Sequence, residues 1–264
     1  MNGWNRRKRV CRRRPERSDT TTPAPNPIPF VIKRPIESTW QGTAQCSKCA
    51  SRGQGLFAGL TEHDLGLIHA PIDCLVFRAG QSLYSEGELA NGIFSIKQGL
   101  VKLVRLTGDG RQRIVRVLRS GDLAGMEALA SDRYDTGAVA MNELSVCRIP
   151  ATVIRTLDNR VPKLHKTLQD RWRLALKNAD DWLADLNFGS ARQRVSHFIL
   201  KMRSADNQDN VSLFSREDMG AMLDLKLETV SREISALTRE GIIEPIDRGG
   251  RNYRILQAQK LQLV

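Results

Sequence analysis

The sequence predicts an α+β protein in which a β-rich segment, one long helix and a small helical domain follow one another. Three observations support this prediction. Residues 73–150 hold short β-rich runs separated by glycines. Residues 151–187 change to a helical period, and residues 213–256 have the pattern of two short helices followed by a hairpin. A chain of 264 residues is long enough for one or two domains with a substantial core.

The net charge of +12 favours nucleic acid as a partner. Much of this charge lies near the N-terminus, since residues 6–17 contain eight basic residues and one acid. Residues 1–43 lack apolar periodicity and become rich in Ser, Thr and Pro after the basic run, so we expect a disordered tail. The tail is either a solvated extension, which we favour, or a source of non-specific DNA affinity.

The composition argues against several classes of protein. Aromatic residues make up 5% of the chain, which disfavours a protein that stacks the bases of single strands. No apolar run approaches the roughly 18 residues of a membrane span, and there is no secretory h-region. Five cysteines without a disulfide-like framework suit a reducing cytoplasm. We find no Gly-rich phosphate loop, paired-His metal motif or nucleophile elbow, so the sequence does not predict an enzyme.

A cysteine pair, Cys46 and Cys49, precedes the β-rich segment. Two thiolates spaced Cys-x2-Cys can reach one metal ion or cluster. The alternatives are a disulfide between the two that senses redox state, or thiols without a function. A short helix that begins at a Thr61 cap is predicted for residues 61–72.

The β-rich segment contains predicted strands at residues 75–77, 92–96, 100–106, 113–118 and 137–149. Glycines punctuate these runs at regular intervals, as turns between short strands require. The spacing suits a small antiparallel roll or barrel.

The long helix is predicted from apolar residues that recur every three or four positions between Leu157 and Leu186, with Pro162 in its first turn. Such a stripe predicts either a coiled-coil seam between two chains or one helix packed on its own domain. The candidate seam residues are Leu164, Leu168, Trp172, Ala175, Ala179 and Trp182. A further helix begins near Ala191, and residues 204–210 are predicted to form a polar loop.

The two short helices near the C-terminus form a helix-turn-helix pattern. Ser215 is a good N-cap for the first helix, and residues 224–226 interrupt the apolar pattern. The second helix is predicted from Leu227 to about Arg239, and Gly241 ends it. Its buried face comprises Val230, Ile234 and Leu237.

The other face of the second helix carries Glu228, Ser231 and Arg232, which lie at i, i+3 and i+4 and therefore project together. Arg can bond guanine O6 and N7, Glu can accept from cytosine N4, and Ser can bond several base edges. The alternative is a solvated face with a Glu–Arg pair. Within a helix-turn-helix, we predict that these three side chains read bases in the major groove.

A hairpin, or wing, is predicted from strands at residues 242–246 and 252–256. Its tip contains two glycines and flanking Arg, so it can approach phosphates closely. The predicted phosphate contacts are Arg216, Lys226, Arg248 and Arg251.

Residues 213–256 resemble the winged helix-turn-helix of the cyclic-AMP receptor/FNR superfamily of bacterial transcription regulators. The run from Leu227 to Arg232 is similar to the FNR (fumarate and nitrate reduction regulator) branch. The resemblance covers about residues 44–256. It implies a cyclic-nucleotide-binding-like β-roll at residues 44–150, a dimerisation helix at 151–187 and a winged helix-turn-helix domain at 188–264. It also implies a cytoplasmic homodimer that binds double-stranded palindromic sites of the TTGAT type and contacts RNA polymerase.

FNR proteins hold a [4Fe-4S] cluster with three N-terminal cysteines, spaced x2 and then x5, and a fourth cysteine in the β-domain. Cys46, Cys49 and Cys147 match three of these positions, but Gly55 stands at the remaining one and cannot ligate. Two interpretations stay open. Either another ligand completes a cluster that responds to oxygen or redox state, or the protein is a cluster-free relative controlled by its abundance or by thiol oxidation. The substitute candidates are Cys74 and Cys11.

The resemblance also gives the position of a cyclic-nucleotide site, where the cyclic-AMP receptor has Gly-Glu and then an Arg followed by Ser or Thr. Here Met126 stands in place of the acid, and Tyr134 and Asp135 stand about where the Arg pair is expected. Glu127 and Arg133 lie about one residue out of register. Since an acid beside the phosphate would repel it, we do not expect this protein to bind a cyclic nucleotide.

Overall fold

The computed structural model describes residues 55–263, apart from residues 69, 71, 109, 204–208 and 248. The basic tail and the pair Cys46 and Cys49 lie outside the described residues. Within them, a β-rich domain is followed by two helices and then by a C-terminal domain of helices and short strands. This order confirms the predicted α+β class.

The β-rich domain consists of two four-stranded antiparallel sheets, with strand orders β1-β8-β3-β6 and β2-β7-β4-β5. The strands are β1 Asp73–Phe77, β2 Ser82–Tyr84, β3 Gly92–Gln98, β4 Val101–Leu106, β5 Gln112–Leu118, β6 Leu123–Ala124, β7 Gly137–Ala140 and β8 Leu144–Pro150. Apolar side chains of both sheets, among them Ile96, Leu103 and Val146, share one core. The domain is therefore the antiparallel roll that the punctuated strands predict.

Two predicted elements of this domain differ by more than one or two residues at their ends from the structure. The predicted run 137–149 is two strands, because residues 141–143 turn between β7 and β8. Helix α1 (Glu62–Leu65) is one turn long, although the sequence predicts a helix over 61–72. Thr61 and Asp64 cap it reciprocally, as a capping box requires, but α1 buries none of its residues and ends at Gly66. Leu65, Leu67 and Ile68 still pack against the core of the roll, so the chain beyond Gly66 is anchored there without continuing the helix.

Helices α2 (Ala151–Arg160) and α3 (Pro162–Leu186) follow β8 without a loop. They are separate because Val161 has extended backbone dihedrals, with φ −124° and ψ 92°. Pro162 is the first residue of α3. At this position the backbone N–H of any residue lacks a partner within the helix, so the N–H that proline lacks is not needed. α3 has 25 residues and is therefore roughly 37 Å long.

The C-terminal domain contains α4 Ala191–Lys201, β9 Asn210–Ser212, α5 Arg216–Leu223, α6 Leu227–Arg239, β10 Ile243–Pro245, β11 Asn252–Ile255 and α7 Ala258–Gln262. β9 extends the predicted hairpin to a three-stranded sheet by pairing with β11. The sequence did not predict β9, whose first residue falls in the predicted polar loop. Val104 and Ile114 of the roll pack into the core of this domain, so the two domains share apolar contacts.

The helices in the described part of the chain include none that is long and apolar enough to cross a membrane.

Candidate DNA-binding surface

The turn between α5 and α6 holds the two helices close together. Ser215 caps α5, since its side-chain oxygen accepts a hydrogen bond from the Asp218 amide at 3.0 Å. Asp224 ends α5 in the left-handed region, with φ 54°, a conformation that Asp tolerates better than most residues. A side chain on Gly220 would stand 2.7 Å from the Leu225 carbonyl oxygen, so only glycine allows this approach.

Helix α6 has one buried and one exposed face. The buried residues are Val230, Ile234 and Leu237, as predicted. Glu228 and Arg232 lie on the exposed face, and Ser231 is half-buried at its edge. The Arg232 side chain is 68% exposed, and its Nε lies 3.6 Å from Glu233 Oε1. The three predicted base-reading residues therefore lie together on a helix face that a DNA groove can reach.

The wing is the β10–β11 hairpin, in which Glu244 pairs with Arg254 across the strands. Near its tip, the Asn252 side-chain amide donates to the Asp247 carboxylate. This hydrogen bond lowers the pKa of Asp247, so the carboxylate is charged at neutral pH. The hydrogen bond thereby joins the two sides of the loop between β10 and β11.

Arg216 connects α5 with the wing. Its Nη2 donates to the Gly250 carbonyl at 3.2 Å and to the Tyr253 hydroxyl at 2.7 Å. Its guanidinium also lies 5.7 Å from the centre of the Tyr253 ring. The structure therefore gives this predicted phosphate contact a second role, which is to hold the wing against the helix-turn-helix.

The other predicted phosphate contacts differ in their surroundings. Lys226 is exposed at the N-cap of α6, and Arg251 is exposed at the base of the wing tip. Arg248 lies outside the described residues.

Helix α4 fixes the position of the helix-turn-helix through two arginines that the sequence did not single out. Arg192 forms two hydrogen bonds with the Glu240 carboxylate, at 2.8 and 2.5 Å. This contact raises the pKa of Arg192 and lowers that of Glu240. Arg194 donates to the Leu223 carbonyl at 2.7 Å, at the C-terminal end of α5 where carbonyls lack helical partners.

Both parts of the chain match known families. A model of the cyclic nucleotide-binding domain matches residues 74–160, and a model of the Crp-like helix-turn-helix domain matches residues 193–264. The nitrogen fixation regulation protein FixK of Bradyrhizobium diazoefficiens is 29% identical over 210 residues, which span 77% of this chain and 88% of FixK. The fumarate and nitrate reduction regulatory protein of Escherichia coli is 25% identical over 205 residues, which span 75% of this chain and 82% of that protein.

A solved structure agrees with these matches. The structure of FixK2 from Bradyrhizobium japonicum has a TM-score of 0.65 at 26% identity and covers 74% of this chain and 97% of its own. The chain belongs to the cyclic-AMP receptor/FNR superfamily. It is an FNR- and FixK-like transcription regulator with a DNA-binding helix-turn-helix domain, and not an enzyme.

In this FNR-like regulator, the long helix presents a different face from the one predicted. Leu164 and Leu168 are buried in the core of their own roll, and Trp182 packs into the C-terminal core. These three residues therefore face their own chain, which corrects the predicted seam at these positions. The sequence pattern misled because α3 has two apolar faces, and the predicted stripe crosses from one to the other.

The apolar face of α3 that is open to solvent contains exposed Trp172, Leu176 and Leu183 and the half-buried Ala179. Leu176 and Leu183 were not among the predicted seam residues. Leu176 is 65% exposed and Leu183 is 56% exposed. The four residues are spaced four, three and four apart, which is the period of a coiled-coil seam. Ala175, another predicted seam residue, is half-buried beside this face.

The superfamily's cyclic-nucleotide position is occupied by core side chains. Met126 and Tyr134 are both buried. The Tyr134 ring stacks on Tyr84 with 3.8 Å between ring centres, and its hydroxyl donates to the Gly92 carbonyl at 2.7 Å. Tyr134 thus stabilises the roll, at a position where the cyclic-AMP receptor has a phosphate ligand.

The charged residues next to that position have partners within the roll. Arg133 donates to the Gly87 carbonyl at 2.6 Å and so braces a loop. Burial raises the pKa of Glu127, and the neighbouring Asp135 raises it further. Glu127 and Asp135 therefore interact with each other, whereas Arg133 is held by a backbone carbonyl.

The candidate cluster ligands are only partly within the described residues. Cys147 lies in β8, directly opposite Cys74 in β1, and their sulfur atoms are 3.8 Å apart. Cys46 and Cys49 lie outside the described residues. Gly55 supplies no ligand atom, so the residues present do not reproduce the four-cysteine set of the FNR cluster.

Proposed function

We propose that this regulator binds palindromic TTGAT-type sites in double-stranded DNA as a homodimer. The observation that carries the proposal is the grouping of Glu228, Ser231 and Arg232 on the open face of α6. An acid, a hydroxyl and a guanidinium at this spacing can make one donor–acceptor pattern with successive base pairs in the major groove. The FNR-like identity of the same run of residues supports the TTGAT half-site.

The exposed stripe of α3 supports the dimer. Trp172, Leu176, Ala179 and Leu183 form an apolar face that a second copy of the same helix would cover. A two-fold axis along this seam would set two α6 helices about one DNA turn apart, roughly 34 Å, and two identical half-sites would then be read at once.

We further propose that the dimer works in the cytoplasm, recruits RNA polymerase and responds to oxygen or to redox state through its cysteines. The alternative is a cluster-free relative that is controlled by its own abundance or by thiol oxidation. Gly55 favours that alternative over an FNR-type cluster, because the third N-terminal ligand is missing.

The test is a DNA-binding titration of the full chain, followed by fluorescence anisotropy. One labelled duplex carries a TTGAT palindrome, and a control duplex carries the same bases in scrambled order. We expect two chains to bind the palindrome at least about 10³-fold more tightly than the control. Titrations in air and under argon then separate a redox-dependent regulator from a constitutive one. Equal affinity for both duplexes under both atmospheres would contradict the proposed function.

A further inference from the structure

Two cysteines face one another on neighbouring strands of the roll. Strands β1 and β8 are antiparallel, and their register places Cys74 directly opposite Cys147. Cross-strand partners project from the same face of a sheet, and the two sulfur atoms are 3.8 Å apart. β1 lies at the end of the strand order of its sheet, and Cys74 is exposed there, as is Val76 two residues further along. A small solute can therefore reach the Cys74 thiol directly.

The contacts on both sides of the pair hold this register. Asp73 faces Arg148 at the neighbouring position, and Arg148 Nη1 lies 3.3 Å from Asp73 Oδ2. On the other side, Leu75 faces Val146, which is buried in the core of the roll. A slip by one residue would turn these apolar side chains away from the core. The two thiols are therefore fixed opposite one another.

The backbone spacing at such a pair allows a disulfide. Opposite residues of antiparallel strands have Cα atoms about 4.5 or 5.5 Å apart. Both distances lie within the roughly 4.4–6.8 Å range that disulfides span. The sulfur atoms must approach from 3.8 Å to a bond length of about 2.05 Å. The two strands can thus stay paired while the bond forms.

We propose that Cys74 and Cys147 form a reversible disulfide when the small thiols around the protein become oxidised. The proposal rests on the thiol-controlled alternative of the proposed function and assigns that control to these two residues. Cys147 stands at the position of the β-domain ligand of the FNR cluster, so a disulfide there and ligation of a cluster exclude each other. Exposed disulfides are reduced more readily than buried structural ones, as a reversible control requires.

The oxidant is a low-molecular-weight disulfide, and the reaction is two successive thiol–disulfide exchanges. Cys74 loses its proton and forms a bond to one sulfur of the small disulfide, whose other half leaves as a thiolate. Cys147 then loses its proton and attacks the Cys74 sulfur, which displaces the second thiolate. The two thiolates take up the two protons. One protein disulfide and two small thiols result, so two electrons pass from the protein to the oxidant.

The test counts thiols in the full chain and uses no DNA, so its failure is separate from a failure of the DNA-binding titration. A Cys11→Ser/Cys46→Ser/Cys49→Ser variant retains Cys74 and Cys147 as its two thiols. It is equilibrated without oxygen in mixtures of reduced and oxidised glutathione, quenched with acid, alkylated and weighed by mass spectrometry. We expect the main oxidised species to carry neither an alkyl group nor glutathione. Dithiothreitol should restore both thiols.

The same treatment of the unsubstituted chain provides a second measurement. Digestion with trypsin without reduction should yield two peptides, one from β1 and one from β8, joined through Cys74 and Cys147. This result does not depend on the serine substitutions.

The matched control keeps two thiols but changes their register. A Cys74→Ser/Val76→Cys change in the same background moves the exposed thiol along the same face of β1. Position 76 pairs with Ser145 and is diagonal to Cys147. Diagonal partners lie about 7–8 Å apart, and a disulfide does not bridge Cα atoms more than about 7 Å apart without backbone movement. We expect the ratio of disulfide to dithiol to be at least about tenfold lower than for the parental pair.

Three results would overturn the proposal. The first is two alkylated thiols at every ratio of reduced to oxidised glutathione. The second is a glutathione adduct as the main oxidised product, which would show that Cys147 does not reach Cys74. The third is equal disulfide formation by the parental and diagonal pairs, since register would then have no effect. The first two results are decided without the diagonal variant, so they hold even if that variant folds poorly.

Discussion

Arg232 is the residue at which base reading can be separated from general affinity for DNA. Its side chain is largely exposed, and Arg232 follows Glu228 and Ser231 at helical spacing on α6. Since one good bidentate contact to guanine is worth about 1–3 kcal/mol, Arg232→Ala should weaken binding to the palindrome by that amount. Binding to scrambled DNA should change much less.

The control for this experiment is Arg160→Ala, which removes the same charge from an exposed position at the end of α2. Anisotropy titrations of both variants on both duplexes provide the measurement. A uniform loss on both duplexes would show that Arg232 contacts phosphate and not a base.

Arg216 should behave as a structural residue as well as a cation. It donates to Gly250 and Tyr253 of the wing segment, and hydrogen bonds made by charged groups contribute about 1.5–3 kcal/mol each. Arg216→Ala should therefore lower the free energy of unfolding in urea by at least about 1 kcal/mol. Lys226→Ala, at an exposed position, should leave stability nearly unchanged and should reduce the salt dependence of DNA binding. If the two variants were equally stable, the clamp between α5 and the wing would not exist in solution.

Glu127 gives the roll a pH dependence of predictable sign. Burial raises its pKa above the ordinary value of 4.5, so folding favours the protonated acid. The stability contributed by such a group is fully present below its unfolded pKa and is lost as the pH rises through the folded pKa. Glu127→Gln should therefore gain stability relative to the parent as the pH rises above the ordinary pKa of 4.5.

Denaturant titrations at several pH values would measure this difference. Glu240→Gln is a control of opposite sign, because the hydrogen bond from Arg192 lowers the pKa of Glu240. Its contribution is present at neutral pH and is lost as the pH falls through the folded pKa. A parent-like pH profile for Glu127→Gln would contradict the buried-acid explanation.

At the scale of elements, the helix-turn-helix could be predicted because its limits are set by local chemistry. Ser215 caps α5 through its own side chain, and Gly241 ends α6 with φ 65°. These signals lie within a few residues of the structure they determine. β9 could not be predicted in the same way. Its three residues form a strand because they pair with β11, which is distant in the sequence.

The face of α3 shows a different limit of sequence reasoning. Periodicity indicates that a helix is amphipathic, but it does not say which apolar face meets its own domain. Leu164 and Leu168 turn towards the roll, whereas Leu176 and Leu183 turn towards solvent. The second stripe, 172-176-179-183, was visible in the sequence, but the first stripe overlapped it at two positions. The cross-strand pair Cys74 and Cys147 was beyond sequence reasoning, because their contact depends on strand register.

The proposed seam of Trp172, Leu176, Ala179 and Leu183 makes a prediction about assembly. A Leu176→Asp/Leu183→Asp variant should be monomeric in sedimentation at micromolar concentration, since two chains would bury facing carboxylates. Leu174→Asp is the matched control, because Leu174 is also exposed on α3 but lies off the seam. The control should remain dimeric. A dimeric double variant would place the interface on another surface.

At the scale of the whole molecule, the DNA-binding domain is joined to the roll by charges as well as by apolar contacts. Lys102 of β4 lies 2.5 Å from the carboxylate of Asp218 in α5, and both side chains are largely buried. Arg113 of β5 makes a second ion pair with Asp224, the residue in the turn of the helix-turn-helix. Val104 and Ile114, from the same two strands, pack into the C-terminal core. The β4–β5 hairpin is thus the part of the roll that positions the helix-turn-helix.

This coupling should appear as a non-additive energy between the domains. In a double-mutant cycle of Lys102→Ala and Asp218→Asn, measured by urea unfolding, we expect an interaction energy of about 0.5–3 kcal/mol. The exposed pair Lys177 and Asp181 lies within α3 at i, i+4 and should give about 0.3–0.5 kcal/mol in the same cycle. The interdomain pair is less exposed than this helical pair, so its charges are screened less by water and salt, and its interaction energy should also fall less when salt is added. If the interaction energy of Lys102 and Asp218 were no larger than that of the helical pair, the apolar contacts alone would hold the helix-turn-helix on the roll.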